Sequence, residues 1–400
     1  EVLGEDFIKR TRLSHIYYQR KFFLYPIKPL DVLFKLGIWE SFLAGLSYAK
    51  AKVFKRPDDG SFENYIVNNF GYRLYNTFFR SYTEKVWGMP CTEIKASWAA
   101  QRIKGLSVTS LITTALFGNR DNKVKSLIEA FYYPKFGPGQ MWEKTLDLVL
   151  ASGLCEIHFN SEVTVLRQKE GVVYEAIMKT PGGEQTISVD SVVSSIPIKT
   201  LFELLSPALP TQALEAARAL SFRDFITVAL VLKKKDLFPD NWIYIHEPKV
   251  LVGRIQNFNN WSPYMVPDNG TTCLGLEYFC FDTDPLWHTS DKELIARGAD
   301  ELEQIGLAKK SDVIDGSVVR VSKTYPVYDS AYETAMPLIK EAFSLLPNVY
   351  PVGRNGMHRY NNQDHAMLTA MLAVENIVSN AGHNLWDVNV ERVYHEEAKG

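Results

Sequence analysis

The spacing of apolar and polar residues changes character twice along the chain. Over residues 29–130 apolar side chains return every three or four positions, as in Leu30, Leu33, Phe34, Leu36 and Ile38, with Pro and Gly as punctuation. That period predicts a mainly helical block. Ahead of it, Ile16-Tyr17-Tyr18 and Phe22-Phe23 flank the polar Gln19-Arg20-Lys21, the pattern of a β-hairpin. From about residue 155 short β-branched runs take over: Glu156-Ile157-His158-Phe159, Val163-Thr164-Val165-Leu166 and Val172-Val173-Tyr174. Pro181-Gly182-Gly183 turns the chain before Ile187 and before Ser191-Val192-Val193-Ser194-Ser195-Ile196, which reads as a buried strand. Further strands are predicted at 226–232, 242–246, 250–258 and 272–281, and helices at 291–304 and 332–346. A last helix is predicted from Asn362, a suitable N-cap, to about Ser379, with Met367, Met371, Val374, Ile377 and Val378 as its apolar face.

The order of these elements is not a strict β-α-β-α alternation, and no internal repeat breaks it up. It predicts a layered α/β chain in which one domain is interrupted by another. The hydrophobic share of 46% and charged share of 22% are those of a globular protein with a substantial core. A net charge of −2 gives no global attraction to nucleic acid, so any anion site must be local. Cys91, Cys155, Cys273 and Cys280 form no CxxC pair and read as reduced, mostly buried thiols. The eight histidines contain no HxxxH or HExxH arrangement, so no metal site is expected. No apolar run is long enough for a membrane-spanning helix, and the opening Glu1-Val2-Leu3-Gly4-Glu5-Asp6 has neither an initiator Met nor a signal peptide. These features predict a cytoplasmic protein whose chain starts inside a longer one.

The segment richest in chemistry runs from Val352 to His365: Val352-Gly353-Arg354-Asn355-Gly356-Met357-His358-Arg359-Tyr360-Asn361-Asn362-Gln363-Asp364-His365. An apolar strand ends, two glycines follow at a spacing of three, and a helix begins. The free amides of a helix start suit an anion or an electron-rich ring edge, and Gly353 and Gly356 permit close backbone approach to a ligand. The same residues also suit an ordinary strand–loop–helix connection, and on their own both readings stand.

This stretch resembles the C-terminal flavin-contacting motif of UDP-galactopyranose mutases and related FAD oxidoreductases of the amine-oxidase superfamily. The resemblance places Arg354, Asn362, Gln363 and Asp364 with Gly353 at the cofactor, and Tyr360 beside them. Where that family carries an acidic residue at the helix start, this chain has Asn362. Tyr82-Thr83-Glu84-Lys85-Val86-Trp87-Gly88 is similar to a signature segment of the mutases. The residues from Ile16 to Ile27 resemble their early hairpin, and Phe136-Gly137-Pro138-Gly139-Gln140-Met141-Trp142 the glycine loop leading back to the FAD domain. Val163 falls where the superfamily meets the adenine with its backbone. The resemblance implies a Rossmann-like FAD domain whose N-terminal part is missing, interrupted by a helical domain and an antiparallel sheet domain that bind substrate. The corresponding boundaries are 1–28, 131–200 and 336–400 for the FAD domain, 29–130 for the helical domain and 201–335 for the sheet domain. The GxGxxG fingerprint is absent. Gly137-Pro138-Gly139 does not supply it, and the resemblance puts that phosphate cradle upstream of residue 1.

For the reaction, the resemblance implies a nucleotide sugar attacked by N5 of reduced flavin, in cell-envelope polysaccharide synthesis. Arg254 matches a diphosphate-binding arginine of the mutases, and Tyr325, in Tyr325-Pro326-Val327-Tyr328, a tyrosine facing the substrate phosphates. With Tyr360 they form the candidate catalytic set. Read without the resemblance, Arg254 is better explained as a surface or ion-paired residue, and Tyr325 as a core position. Glu84, Lys85 and Trp87 are read as structural. Two alternatives stay open: a flavin oxidase or dehydrogenase resembling protoporphyrinogen oxidase or amine oxidase, towards which Ser194-Ser195-Ile196-Pro197 leans, and a non-catalytic binding module.

Overall fold

The computed structural model describes residues 2–25, 29–96, 130–266 and 270–389. In chain order these begin with strands β1 (Phe7–Thr11), β2 (Ser14–Tyr18) and β3 (Lys21–Leu24). Helices α1 (Pro29–Leu36), α2 (Ile38–Val53), α3 (Phe62–Phe70) and α4 (Tyr72–Tyr75) follow, then a π-helical turn (Asn76–Arg80) and α5 (Ser81–Trp87). Next come β4 (Ala130–Pro134), α6 (Pro138–Ala151), β5 (Glu162–Lys169), β6 (Val172–Thr180), β7 (Gly183–Ser188) and β8 (Val192–Ser194). Short α7 (Ile198–Leu204), β9 (Leu205–Ser206) and α8 (Thr211–Ala219) lead to β10 (Phe222–Leu232), β11 (Trp242–Ile245) and β12 (Arg254–Asn257). The chain closes with α9 (Phe258–Trp261), β13 (Thr272–Cys280), α10 (Asp291–Ile305), β14 (Val313–Pro326), α11 (Ser330–Ser344), β15 (Val349–Pro351), α12 (Gly353–Gly356) and α13 (Gln363–Ser379). The predicted helical block thus holds for residues 29–96, and its remainder lies outside the described residues.

The chain divides into two compact units. The first comprises the described residues of Glu1–Ser152 and Arg223–Ser322. Its centre is a seven-stranded sheet in the order β14-β10-β13-β12-β11-β2-β3. β10 pairs antiparallel with β13, β13 with β12, β12 with β11 and β2 with β3, whereas β11 runs parallel to β2. The predicted hairpin forms, Tyr18 pairing with Lys21 around Gln19 and Arg20, both at positive φ, as a two-residue hairpin turn requires. Alternation along the strands sends Ile226, Val228, Leu230, Ile243, Ile245, Ile255, Leu274 and Leu276 to one face, where Leu294, Leu302 and Ile305 of α10 meet them. The opposite face receives the intervening residues, and this parity decides which side chains become available for chemistry.

The second unit comprises Gly153–Phe222 and Lys323–Arg392. A four-stranded sheet, β7-β6-β5-β9, and a two-stranded parallel ribbon of β15 and β8 enclose a core built by Phe202, Leu201, Ile339 and Phe343 from α7 and α11.

Three expectations are corrected. Residues 156–159 form no strand: they are exposed and pair with no strand among the described residues. The run 250–258 narrows to β12, because Leu251 and Val252 donate their N–H groups to the Glu301 carboxylate (3.0 and 2.9 Å) and not to a strand. The last helix starts where predicted, but it buries His365, Thr369 and Ala373, leaving Met367, Met371, Val374, Ile377 and Val378 exposed. Of the four thiols, all free, Cys91 and Cys280 are buried, whereas Cys155 is exposed.

Candidate functional site

In the second unit β15 runs parallel to β8, Pro351 opposite Ser194, and Val352 donates to the Ser194 carbonyl (2.9 Å). The chain then turns through α12. Gly353 takes φ +73°, which a side chain would strain, and its N–H donates to Thr369 Oγ1 on α13 (2.9 Å). Gly356 serves a different purpose from the one expected. A Cβ there would sit 2.5 Å from the Ser194 carbonyl oxygen, so its close approach is to β8 and not to a ligand.

Arg354 is held from two sides. Its Nε donates to the Asn361 carbonyl and its Nη1 to the Thr324 carbonyl, both at 2.9 Å. The guanidinium lies 5.3 Å from the Tyr325 ring and 4.8 Å from the Tyr360 ring, which stack on each other at 5.4 Å. Two carbonyls and two π faces fix a planar cation far better than they would a flexible ammonium. The Tyr360 N–H donates to Tyr328 Oη (2.6 Å), so this tyrosine is fixed through its backbone as well. Burial pushes His358 down to about 4, leaving it neutral at pH 7.

The helix start falls directly after this cluster. Asn362 has extended backbone, and its N–H donates to His365 Nδ1 (3.2 Å), while Asn362, Gln363 and Asp364 are exposed. In the first turn of α13 the His365 N–H is capped by the Asn362 side chain while those of Gln363 and Asp364 have no intrahelical acceptor, and seventeen residues of helix align behind them. In the four-stranded sheet Val163 stands at a bulge opposite Met178. β9 pairs with β5 only at Leu166 and Arg167, so no described strand covers the backbone of Val163 on that side.

Arg254 belongs to the first unit. It stands on the face of the large sheet turned away from the core, Tyr244 and Glu277 its cross-strand neighbours. Its Nε is bonded to the Glu277 carboxylate, which is almost fully buried and also accepts from Gln256 Nε2 (2.8 Å). Gln256 Oε1 in turn accepts from Trp261 Nε1 (2.8 Å), and Trp261 stacks on Trp242 at 5.3 Å, with Tyr133 5.0 Å away. The result is a polar row edged by aromatic rings.

The Tyr82–Gly88 segment docks α5 against this sheet. Tyr82 stacks on the His246 ring at 5.0 Å, and Lys85 Nζ donates to the carbonyls of Ile245 (3.2 Å), Glu247 (2.6 Å) and Val252 (3.2 Å). Glu84 pairs with Arg80 (3.2 Å), and Trp87 is buried. The structural reading of these residues agrees with the geometry. Among the buried charged residues that escaped the sequence reading are Arg223 and Glu301. Arg223 is the second residue of β10, whose apolar alternation drew attention away from it. Glu301 carried a usable signal, since an acid on the apolar stripe of α10, between Gly298 and Leu302, is out of place unless it is bonded.

A layered α/β chain with a glycine-turn-to-helix junction at the C-terminal end of a parallel strand defines a nucleotide-cofactor fold. The chain belongs to the flavin containing amine oxidoreductase family, whose sequence pattern matches residues 67–360. It is similar to the crystal structure of reduced UDP-galactopyranose mutase, with 17% identity, a TM-score of 0.79, and coverage of 98% of this chain and 85% of that one. A putative protoporphyrinogen oxidase from Exiguobacterium sp. 255-15 aligns with 15% identity and a TM-score of 0.64 over 93% of this chain and 83% of that one. A putrescine oxidase variant gives 13% identity and a TM-score of 0.56 over 94% and 84%.

Family membership implies a flavin, and the residues present fit one. Asn355 Oδ1 is buried without a hydrogen-bond partner in the very turn that precedes α13, and the helix start and the open backbone at Val163 are both available. Among the described residues no group of His, Cys, Asp and Glu could hold a metal, and no helix is long and apolar enough to cross a membrane.

Proposed function

We propose that this protein is an FAD-dependent enzyme of the UDP-galactopyranose mutase kind, which changes the ring size of a nucleotide sugar. The observation that carries this reading is half-buried Arg254 on the sheet face turned away from α10, braced by buried Glu277 and continued by Gln256 and Trp261. A planar guanidinium held by a carboxylate in this way is the kind of cation that recognises a diphosphate, and stacked indoles beside it suit a planar base. A simple amine substrate gains nothing from such a cation.

In this reading Gly353, Arg354, Asn362, Gln363, Asp364 and the backbone of Val163 hold the cofactor. The start of α13 favours negative charge on the flavin by about 1 kcal/mol. The resemblance to the mutases assigns Arg254 to the diphosphate, and makes Tyr325 and Tyr360 further substrate-facing residues. Bound reduced flavin supplies the nucleophile, which explains why no dedicated acid or base is needed. The chain's own contribution is positioning and charge stabilisation.

The test uses FAD-loaded protein reduced with dithionite and offered a panel of nucleotide sugars, with products separated by chromatography. A new ring isomer is expected from one of them, and none from any would sink the proposal. The aromatic wall of Trp242, Trp261, Tyr133 and Phe131 favours a second reading, an oxidase with a large planar substrate. An oxidase's substrate bleaches oxidised flavin anaerobically, whereas the mutase reaction leaves the flavin's redox state unchanged.

A further inference from the structure

Helix α2 is amphipathic the wrong way round for a buried helix. Towards α3 and α4 it turns small residues: Ala44 and Ala51 are buried, Ser47 Oγ accepts the Arg73 N–H (3.1 Å), and Gly71 packs against the backbone of Tyr48. Its large apolar side chains point outwards. Ile38, Trp39, Phe42, Leu46 and Val53 are each more than half exposed, as is Phe34 on α1. At about 100° per residue the five α2 positions span an arc of about 100° opposite Ala44 and Ala51. Lys50 falls about 20° beyond one edge of that arc and Lys52 about 40° beyond the other.

The surrounding charge is one-sided. Residues 29–56 hold Lys35, Lys50, Lys52, Lys55 and Arg56 against only Asp31 and Glu40. Asp31 is paired with Lys35, Glu40 is gripped by Arg73 through bonds of 2.7–2.9 Å, and Arg56 is paired with Glu63 (2.6 Å), so the positive excess of this segment is that of Lys50, Lys52 and Lys55.

We propose that the outer face of α1 and α2 is a docking surface for an anionic lipid bilayer, lying in the plane of the headgroups. An apolar arc with an aromatic residue at its rim and lysines along both edges matches a layer in which acyl chains lie below and phosphates on either side. The helix lies on the membrane and does not cross it, in keeping with its sixteen residues. A second copy is the less favourable occupant, because a two-fold contact through this face would bring the same lysines together.

The test is co-sedimentation of the FAD-loaded full-length protein with phosphatidylcholine vesicles, with and without phosphatidylglycerol. Binding to the anionic vesicles, weakened by salt, is expected. The double change Trp39→Ser with Phe42→Ser should lower the partition coefficient about tenfold or more. Lys50→Glu with Lys52→Glu should lower it about fivefold or more for each lysine. Both pairs are exposed, and an unchanged thermal melt would show that the fold is intact. Brominated lipid should quench part of the tryptophan emission, a part that Trp39→Phe removes while binding persists. Failure to sediment with either vesicle would overturn the proposal. So would a dimer, seen by light scattering, that the Trp39→Ser/Phe42→Ser change dissociates without any vesicle binding.

Discussion

Arg223 occupies the space that a side chain on Gly88 would need. A Cβ on Gly88 would lie 2.4 Å from Arg223 Nη1, and Gly88 itself adopts the left-handed conformation, φ +67°. The arginine closes the end of α5, donating from Nε to the Val86 carbonyl (3.1 Å) and from Nη2 to the Lys85 carbonyl (3.3 Å), with the Phe281 ring 4.1 Å away. A cation at a helix C-terminus satisfies the last carbonyls and the dipole together. Gly88→Ala would therefore strain the backbone and displace the cap, at a cost of about 2 kcal/mol or more. Urea denaturation followed by tryptophan fluorescence should show it, and an unchanged midpoint would refute this account of the motif's glycine.

Lys85 gives the same segment a pH signature. Burial pushes its ammonium down to about 8 from 10.5, against the attraction of Glu301 and Glu247. Below about pH 8 both folded and unfolded chains hold the proton. Between about 8 and 10.5 only the unfolded chain does, so folding gains as pH rises through that window. Relative to Lys85→Met, the wild-type protein should become more stable from pH 8 to 10. A flat difference between the two denaturation curves would contradict this.

His246 acts in the opposite range. Burial, and then the charge of Lys85, push it down to about 3 from 6.5. The neutral ring stabilises the fold fully above pH 6.5, and that stability is lost as acid protonates the unfolded chain first. His246→Phe keeps the stacking on Tyr82 but cannot titrate. The variant should lose less stability than wild type between pH 6.5 and 4 in parallel thermal melts.

Arg354→Lys would keep the charge and lose the fork. One ammonium cannot reach the Asn361 and Thr324 carbonyls while lying against the stacked Tyr325 and Tyr360 rings in the same way. Flavin affinity should fall at least about tenfold, the equivalent of about 1.4 kcal/mol. Titration of the apoprotein by flavin fluorescence reads this directly, and wild-type affinity would remove Arg354 from the cofactor site.

Arg254→Lys should act on substrate and leave the flavin alone. Loss of paired donors to a diphosphate would raise KM about tenfold or more while flavin affinity stays at the wild-type value. Glu277→Gln should have a milder effect of the same kind, because it frees the guanidinium from its brace. A fall in flavin affinity with unchanged KM would reverse the assignment.

Much of the architecture was present in local pattern. The hairpin at Tyr18 and Lys21, the strands β5, β6, β10 and β13, and the start of α13 after Asn362 all follow from periodicity, turn residues and capping, which depend on neighbours in sequence. The junction from Val352 to His365 was recognisable for the same reason. What local pattern does not contain is the identity of the facing surface. It marked an apolar stripe on α13, yet the buried side is the one where Thr369 receives the Gly353 N–H. It read 250–258 as one strand, yet Glu301, about fifty residues away, took the amides of Leu251 and Val252. It could not choose between Arg254 as ligand-binding cation and as ion-pair partner. The fold gives that arginine a buried carboxylate at Glu277 on the neighbouring strand, because sheet register, set by the packing of alternate residues against α10, decides which side chains meet.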